Sequence, residues 1–233
     1  MGGNVVARGA RCPVVTARLS LRAGALVLAM VGGCVHWLVA RPRIRRWGAT
    51  DEEVEKRLPG DELDCPLGCR PTSTRAITID APPDQVWPWL VQMGSGRAGF
   101  YSHDWVERLL FVTYGEGRSA TAIHPEWQEL RVGDRVPYSR FNSVPVRKVD
   151  PPRCLVAGEW LVLEPVAGGR GTRLIARTRG GWVEPLVRRV PVLGWVLWPV
   201  AAFVDRGPLE LLHHYMESEM LRGVKRRAER RGC

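Results

Sequence analysis

The sequence predicts an α+β protein: one strand, two short helices, a run of antiparallel strands and a long C-terminal helix. Three observations predict it. Residues 74–80 alternate, with Ile77 and Ile79 on one face, which is the pattern of a half-buried strand. Four apolar-rich runs follow between residues 133 and 180, broken by Pro151-Pro152, Gly158 and Gly168-Gly169; they read as an antiparallel meander rather than βαβ units. From Leu209 to about Arg230 there is no proline and one glycine, Gly223. Over that stretch Leu209, Leu212, His213, Met216, Met220 and Val224 recur at helical spacing.

Composition narrows the function classes. The chain has 233 residues, is 45% hydrophobic and 25% charged, and so can bury a core. Its net charge is +10, yet the basic residues are not interleaved with aromatics and no groove-reading helix is legible, so nucleic acid is not an expected partner. The charge gathers instead at Arg8–Arg46 and Arg222–Arg231, a distribution suited to an anionic membrane surface. The six cysteines fit no zinc spacing; Cys65 and Cys69, the one close pair, read as a local disulfide or two free thiols.

The N-terminal third is read as an anchor and its connection. Residues 1–22 form a basic segment. Residues 23–40, "AGALVLAMVGGCVHWLVA", carry no formal charge and are long enough for a short transmembrane helix. Gly24, Gly32, Gly33 and Trp37 suit such a helix. Arg41-Pro42-Arg43 makes a poor cleavage site, which favours an uncleaved anchor over a signal peptide; a buried helix is the other alternative. The arginines before and after the span balance four against four, and the tighter cluster after it tips the expected location of the soluble domain to the cytoplasm. Residues 41–73 read as a juxtamembrane helix and linker, with a capping box of Thr50 and Glu53 opening the helix and Pro59-Gly60 closing it.

The soluble domain is expected over residues 74–233. After the first strand, Pro82 and Pro83 make a turn, Asp84 is the expected N-cap of a helix over about 85–93, and Gly94 ends it. Pro88 then falls at the edge of the first turn, with Val86, Trp89, Leu90 and Met93 on the buried face. "GSGRAG" lacks the ending of a phosphate loop and follows a helix, so it is discounted. "YSHDWVERLL" reads as the second short helix with Ser102 as its N-cap. Residues 153–166 contain a bend or two pairing segments at Gly158. A long helix laid across a strongly curved antiparallel sheet is the helix-grip arrangement, and it encloses a cavity.

The elements "TRAITIDAPPDQVWPWLVQMG", "GFYSHDWVERLL", "WQELRVGDRV", "WLVLEPV" and "MESEMLRGVKRRAE" resemble the START-like, or SRPBCC, superfamily of polyketide cyclase and Bet v 1-like proteins, over about residues 74–230. The "I-x-A-P-x-x-V-W" opening is the most specific part. Arg46–Leu63 after an apolar segment is similar to a bacterial, membrane-anchored subgroup. The resemblance implies a hydrophobic cavity for a lipid, sterol or polyketide; the superfamily also contains cyclases, dehydratases and hydrolases, so fold alone does not give the activity. The chain departs from the pattern in a hydrophobic insertion at 182–206. Its "VLGWVLWPVAAFV" (192–204) is too short to span. It reads as an interfacial segment or as a lid over the cavity, with a second span as the remaining alternative.

Site residues are harder to read. No nucleophile elbow and no metal set is legible, and neither cofactor nor metal is expected. Asp104, Tyr138 and His213 are the candidates for acid–base work, each with an ordinary structural alternative: Asp104 as a helix-start anion, His213 as a satisfied core residue. Trp105, Trp160, His213, Met216 and Met220 are the expected ligand-lining side chains, because an apolar pocket wants aromatic and aliphatic walls with few polar anchors. The expected function is a membrane-anchored module binding a hydrophobic small molecule or lipid without a need for catalysis. The alternatives are a cyclase or dehydratase on an apolar polyketide-like substrate, and a structural membrane-associated protein with a vestigial pocket.

Overall fold

A computed structural model describes residues 23–24, 27–28, 30–63, 71–109, 118–180, 183–187, 189–190 and 193–230. Cys65, Cys69, Trp182, the basic segment 1–22 and part of the expected 23–40 span lie outside these residues. The chain divides into two compact units, Met1–Arg43 and Ile44–Cys233. In the first, residues 30–35 are α-helical and His36–Ala40 forms a π-helical turn, with the Arg41 guanidinium 4.5 Å from the Trp37 ring centroid. No helix among the described residues is long and apolar enough to cross a membrane.

The second unit holds α1 (Asp51–Glu55), β1 (Pro71–Ile79), α2 (Pro83–Val91), α3 (Asp104–Leu109), β2 (Arg135–Ser139), β3 (Asn142–Asp150), β4 (Cys154–Ala157), β5 (Glu159–Val166), β6 (Gly171–Arg179), α4 (Glu184–Val187), α5 (Leu193–Arg206) and α6 (Pro208–Ala228). The strands form one antiparallel sheet in the order β1-β6-β5-β4-β3-β2. The bend expected at Gly158 is a tight turn: Gly158 takes φ +81°, which glycine adopts without steric cost, and the run 153–166 splits there into β4 and β5.

One face of the sheet packs on α2 and α6. Ile79, Leu161, Leu163 and Leu174 of the strands meet Val86, Leu90, Leu221 and Val224 of the helices. The α+β class and the helix-grip arrangement of the sequence reading are therefore present in this unit. α2 starts two residues earlier than the sequence suggests. Pro82 is its N-cap, Asp84 lies inside the first turn, and no side chain caps it. Pro88 consequently sits within the helix, beyond the first turn, where it withholds one backbone donor.

The opposite face carries a second apolar cluster of Leu58, Ala76, Cys154, Val156, Trp160, Val162 and Ile175. Residues 44–63, read as a juxtamembrane helix and linker, form its cover. Thr50 and Glu53 make the expected reciprocal capping box, worth about 1 kcal/mol. The strap is then riveted by charge: Arg173 to Glu53 at 2.6 Å, Arg177 to Asp61 at 2.6 Å, Arg179 to Asp61 at 2.5 Å. Trp47 accepts the Ala76 N–H through its carbonyl, so the chain also runs along the exposed edge of β1 and blunts it.

Candidate functional site

α6 positions the site. Pro208 occupies its first turn, and Lys225, Arg226 and Arg227 lie at its C-terminal end, where their charge complements the helix dipole. Gly223 lets the middle of the helix close on Tyr101: a Cβ there would stand 2.2 Å from the Tyr101 carbonyl oxygen. N-terminal to that contact, Leu209, Leu212, His213, Met216, Glu217 and Met220 form one stripe. Together with Phe100, Ser102, Tyr138, Ser139 and Asn142 they line a cavity of about 300 Å³. Most of this lining is apolar.

The polar wall of the cavity leads to a buried charged cluster. Strand alternation places it. Leu161 and Leu163 of β5 face α6, so Glu159 two residues earlier does too. His213 and Glu217 are one helical turn apart and project together. His213 Nε2 is 2.9 Å from Glu159 Oε1 and 3.3 Å from Glu217 Oε2. Arg75, inward-facing on β1, pairs with Glu217 through Nη1, and the same nitrogen is 3.4 Å from His213 Nδ1. The Arg75 Nε donates to the Ile44 carbonyl at 2.9 Å.

Burial pushes the Glu217 carboxyl up to about 7, with the Glu159 charge adding to the rise and His213 and Arg75 opposing it. Burial alone would lower His213; the Glu217 and Glu159 carboxylates outweigh it and raise the imidazole above its ordinary value. Burial raises the Tyr138 phenol well above its ordinary value, and Glu159 adds to this. These groups therefore hold protons near neutral pH, beside an apolar cavity.

Glu159, His213 and Glu217 also offer one ligand atom each within 4.8 Å of one another, the spacing of a divalent-cation site that the sequence reading did not foresee. The surroundings argue against that use. A cation on Nε2 would put the imidazole proton on Nδ1, where it would face the Arg75 guanidinium, itself a donor. In the neutral imidazole the proton on Nε2 is donated to Glu159 and Nδ1 accepts from Arg75; the imidazolium that Glu217 and Glu159 favour gives up that second contact. The arrangement suits a proton better than a metal.

The expected site residues fall in different places. Tyr138, His213, Met216 and Met220 line the cavity. Trp160 does not: it belongs to the opposite face of the sheet, under the strap, with Val156 and Val162. The physical reason is period-2 alternation, which sends Trp160 outward because Leu161 points inward. Trp105 lies on α3 with 58% of its surface exposed and lines neither this cavity nor the polar pocket beside Asp104. Asp104 accepts from the Ser119 backbone N–H at 3.2 Å and hydroxyl at 2.9 Å; it borders a separate polar pocket with Arg226, Arg227 and Arg230. Sequence reasoning missed Arg75, Glu159 and Glu217. It also missed Glu107, fully buried on α3, whose carboxyl accepts from Ser102 and is raised by burial.

The sheet order, the helix packed over it and the cavity between them define a helix-grip α+β protein. No family model and no curated protein matches the chain. Among solved structures it is similar to MLL2253 from Mesorhizobium loti, at 13% identity over 69% of this chain and 100% of that one, with a TM-score of 0.36. It is similar to the Polyketide_cyc-like protein Cgl2372 from Corynebacterium glutamicum, at 13% identity over 66% and 88%, TM-score 0.36. It is also similar to CalU16 from Micromonospora echinospora, at 21% identity over 67% and 83%, TM-score 0.27. The helix-grip assignment itself rests on the strand order and the α6 packing of this chain.

Proposed function

We propose that the protein binds a hydrophobic small molecule or lipid in the cavity between the β2–β3 hairpin and the first half of α6, and that its N-terminal segment holds it at a membrane. The cavity carries the first part of the reading. At about 300 Å³, with walls of Phe100, Leu209, Leu212, Met216 and Met220, it has the size and surface of a small-ligand pocket. Tyr138 and His213 supply the few polar groups that would orient a ligand hydroxyl or carbonyl. The uncharged run 23–40, with Met30, Val35 and Leu38 exposed, supports the anchor, and the arginines of 41–46 support a cytoplasmic domain.

Native mass spectrometry of the full-length protein, followed by organic extraction, tests the binding. An apolar ligand, or an added apolar fluorophore at one equivalent, should bind the parent chain and be excluded by Met216→Trp, which fills the cavity. Equal binding by both proteins would sink the reading.

A second reading is favoured by one observation. Tyr138, His213 and Glu217 converge on the cavity, as a cyclase or dehydratase acting on an apolar polyketide-like substrate would need. In that case His213 moves the proton and Glu159 and Glu217 set its basicity. Turnover of a carbonyl-bearing ligand, abolished in His213→Asn with binding retained, would select this reading over simple carriage. The open cavity counts against a purely structural role.

A further inference from the structure

The hydrophobic insertion has a surface that the cavity does not use. α5 packs on α4 and α6 with its small side: Gly194, Ala201 and Ala202 are buried. Its other side is apolar and open to solvent. Trp195 is 87% exposed, and Val196, Val200 and Phe203 are 61–69% exposed. Positions 195, 196, 200 and 203 lie within about 140° of one another on a helical wheel, so they form one continuous stripe. Such a stripe in water marks an interaction site.

The cavity wall follows it directly in the chain. Ser139 and Asn142, at the tip of the β2–β3 hairpin, and Leu209 and Leu212, just after α5, line the same cavity. The hairpin tip carries Phe141, 78% exposed, and Arg140, whose guanidinium is 5.0 Å from the Phe141 ring centroid. Apolar side chains thus project from the hairpin tip whose neighbours line the cavity and from the helix that leads into the cavity's other wall. Arg140 and Arg189 are exposed nearby in sequence to the two projections.

We infer that α5 and Phe141 form a docking surface for an anionic lipid bilayer, placing the cavity mouth against the membrane. Three features favour a bilayer. The stripe pairs tryptophan and phenylalanine with aliphatic side chains, the composition that settles at the headgroup–acyl boundary. The exposed arginines and the net charge of +10 complement anionic headgroups. A second copy fits less well: a helix of 14 residues is about 21 Å long and buries on the order of 300 Å² per copy. The pair would fall short of the roughly 1,000 Å² that a stable interface clears. Docking through α5 is independent of what occupies the cavity and of whether residues 23–40 insert.

Photolabelling reads it out by location. The full-length protein is mixed with vesicles of 70% phosphatidylcholine and 30% phosphatidylglycerol that contain a diazirine-bearing acyl lipid. Adducts are mapped by mass spectrometry. Adducts are expected within residues 193–204 and at Phe141. Both should weaken in pure phosphatidylcholine, and by about fivefold for each charge removed in Arg140→Gln and Arg189→Gln. Trp195→Ser/Phe203→Ser should abolish both sets, with an unchanged far-UV circular dichroism spectrum. Adducts confined to 23–40, with none at 193–204 or Phe141, would overturn docking while leaving the anchor intact. Adducts at 193–204 without any at 23–40 would support docking and remove the anchor. A dimer by light scattering that the same double substitution dissociates would assign the stripe to a second copy and overturn the bilayer.

Discussion

Arg75 of β1 and Glu217 of α6 are 142 residues apart and form an ion pair with both side chains sealed from solvent, at 0% and 1% exposure. The pair fastens the C-terminal helix to the first strand at the polar end of the cavity. A buried pair is costly to break from one side because the remaining Glu217 carboxylate is sealed from solvent and keeps only the His213 imidazole, at 3.3 Å. Arg75→Met is therefore expected to destabilise the protein by about 3–5 kcal/mol in urea denaturation. Arg75→Met/Glu217→Leu should recover most of that loss, since neither charge is then left alone. If the double variant is as unstable as the single one, the pair does not govern this contact.

The same cluster predicts a pH dependence with a definite sign. Glu217 has its carboxyl raised from the ordinary 4.5 to about 7, so between those values the folded chain holds a proton that the unfolded chain has released. His213, also raised, holds its proton above its ordinary 6.5. Both contributions are fully present below the unfolded values and are lost as pH rises through the folded ones. Stability should fall as pH increases from about 4.5 past 7, by up to about 1.4 kcal/mol per pH unit for each proton involved. Glu53 acts oppositely at acid pH, its carboxyl being lowered by Arg173, so the comparison is made by difference. Denaturation curves at pH 5, 6, 7 and 8 should diverge between the parent and Glu217→Gln, and parallel curves would refute the assignment.

Gly223→Ala probes the closest backbone approach around the site. On helix propensity alone, alanine would gain about 1 kcal/mol. Here its Cβ would lie 2.2 Å from the Tyr101 carbonyl oxygen and 2.7 Å from the Tyr101 Cβ. Tyr101 cannot easily yield: it sits at φ +60°, its hydroxyl donates to the Trp89 carbonyl at 3.0 Å, and Arg227 covers its ring at 4.4 Å. The substitution should cost about 1–3 kcal/mol and perturb the near-ultraviolet circular dichroism signal of the packed aromatics. A rise in melting temperature would show that α6 can slide off Tyr101.

The elements were legible where one local rule decided them. Alternation in β1, the break at Gly158, the Thr50–Glu53 capping box and the periodicity of α6 each needed only neighbouring residues. The site needed more. His213 and Glu217 are four apart on a helix, a local signal present in "HHYME" that the lone-histidine reading passed over. Glu159 could have been aligned with them only after fixing which face of β5 points inward. Arg75 sits in a strand whose inward side was read from Ile77 and Ile79 alone, although it shares their parity. The strap of 44–63 was not readable as a sheet cover, because its ion pairs to Arg173, Arg177 and Arg179 span more than 110 residues.

Trp160 separates what the sheet's two faces do. It is 5% exposed, its ring lies against Gly60 of the strap, where an added Cβ would stand 2.8 Å from Cδ1, and the Arg179 guanidinium is 5.2 Å from its centroid. Its side chain points away from the face on which Leu161 packs toward α2 and α6. Trp160→Ala should thus loosen the strap and cost about 3–5 kcal/mol in chemical denaturation, the usual range for emptying a large aromatic site. At a temperature where the variant remains folded, its affinity for an apolar fluorophore in the cavity should match the parent's. Met216→Trp should show the reverse pattern, with lost binding and a smaller change in stability. A tenfold loss of fluorophore affinity in folded Trp160→Ala would mean that the two faces are coupled through the sheet, and that the strap takes part in shaping the cavity.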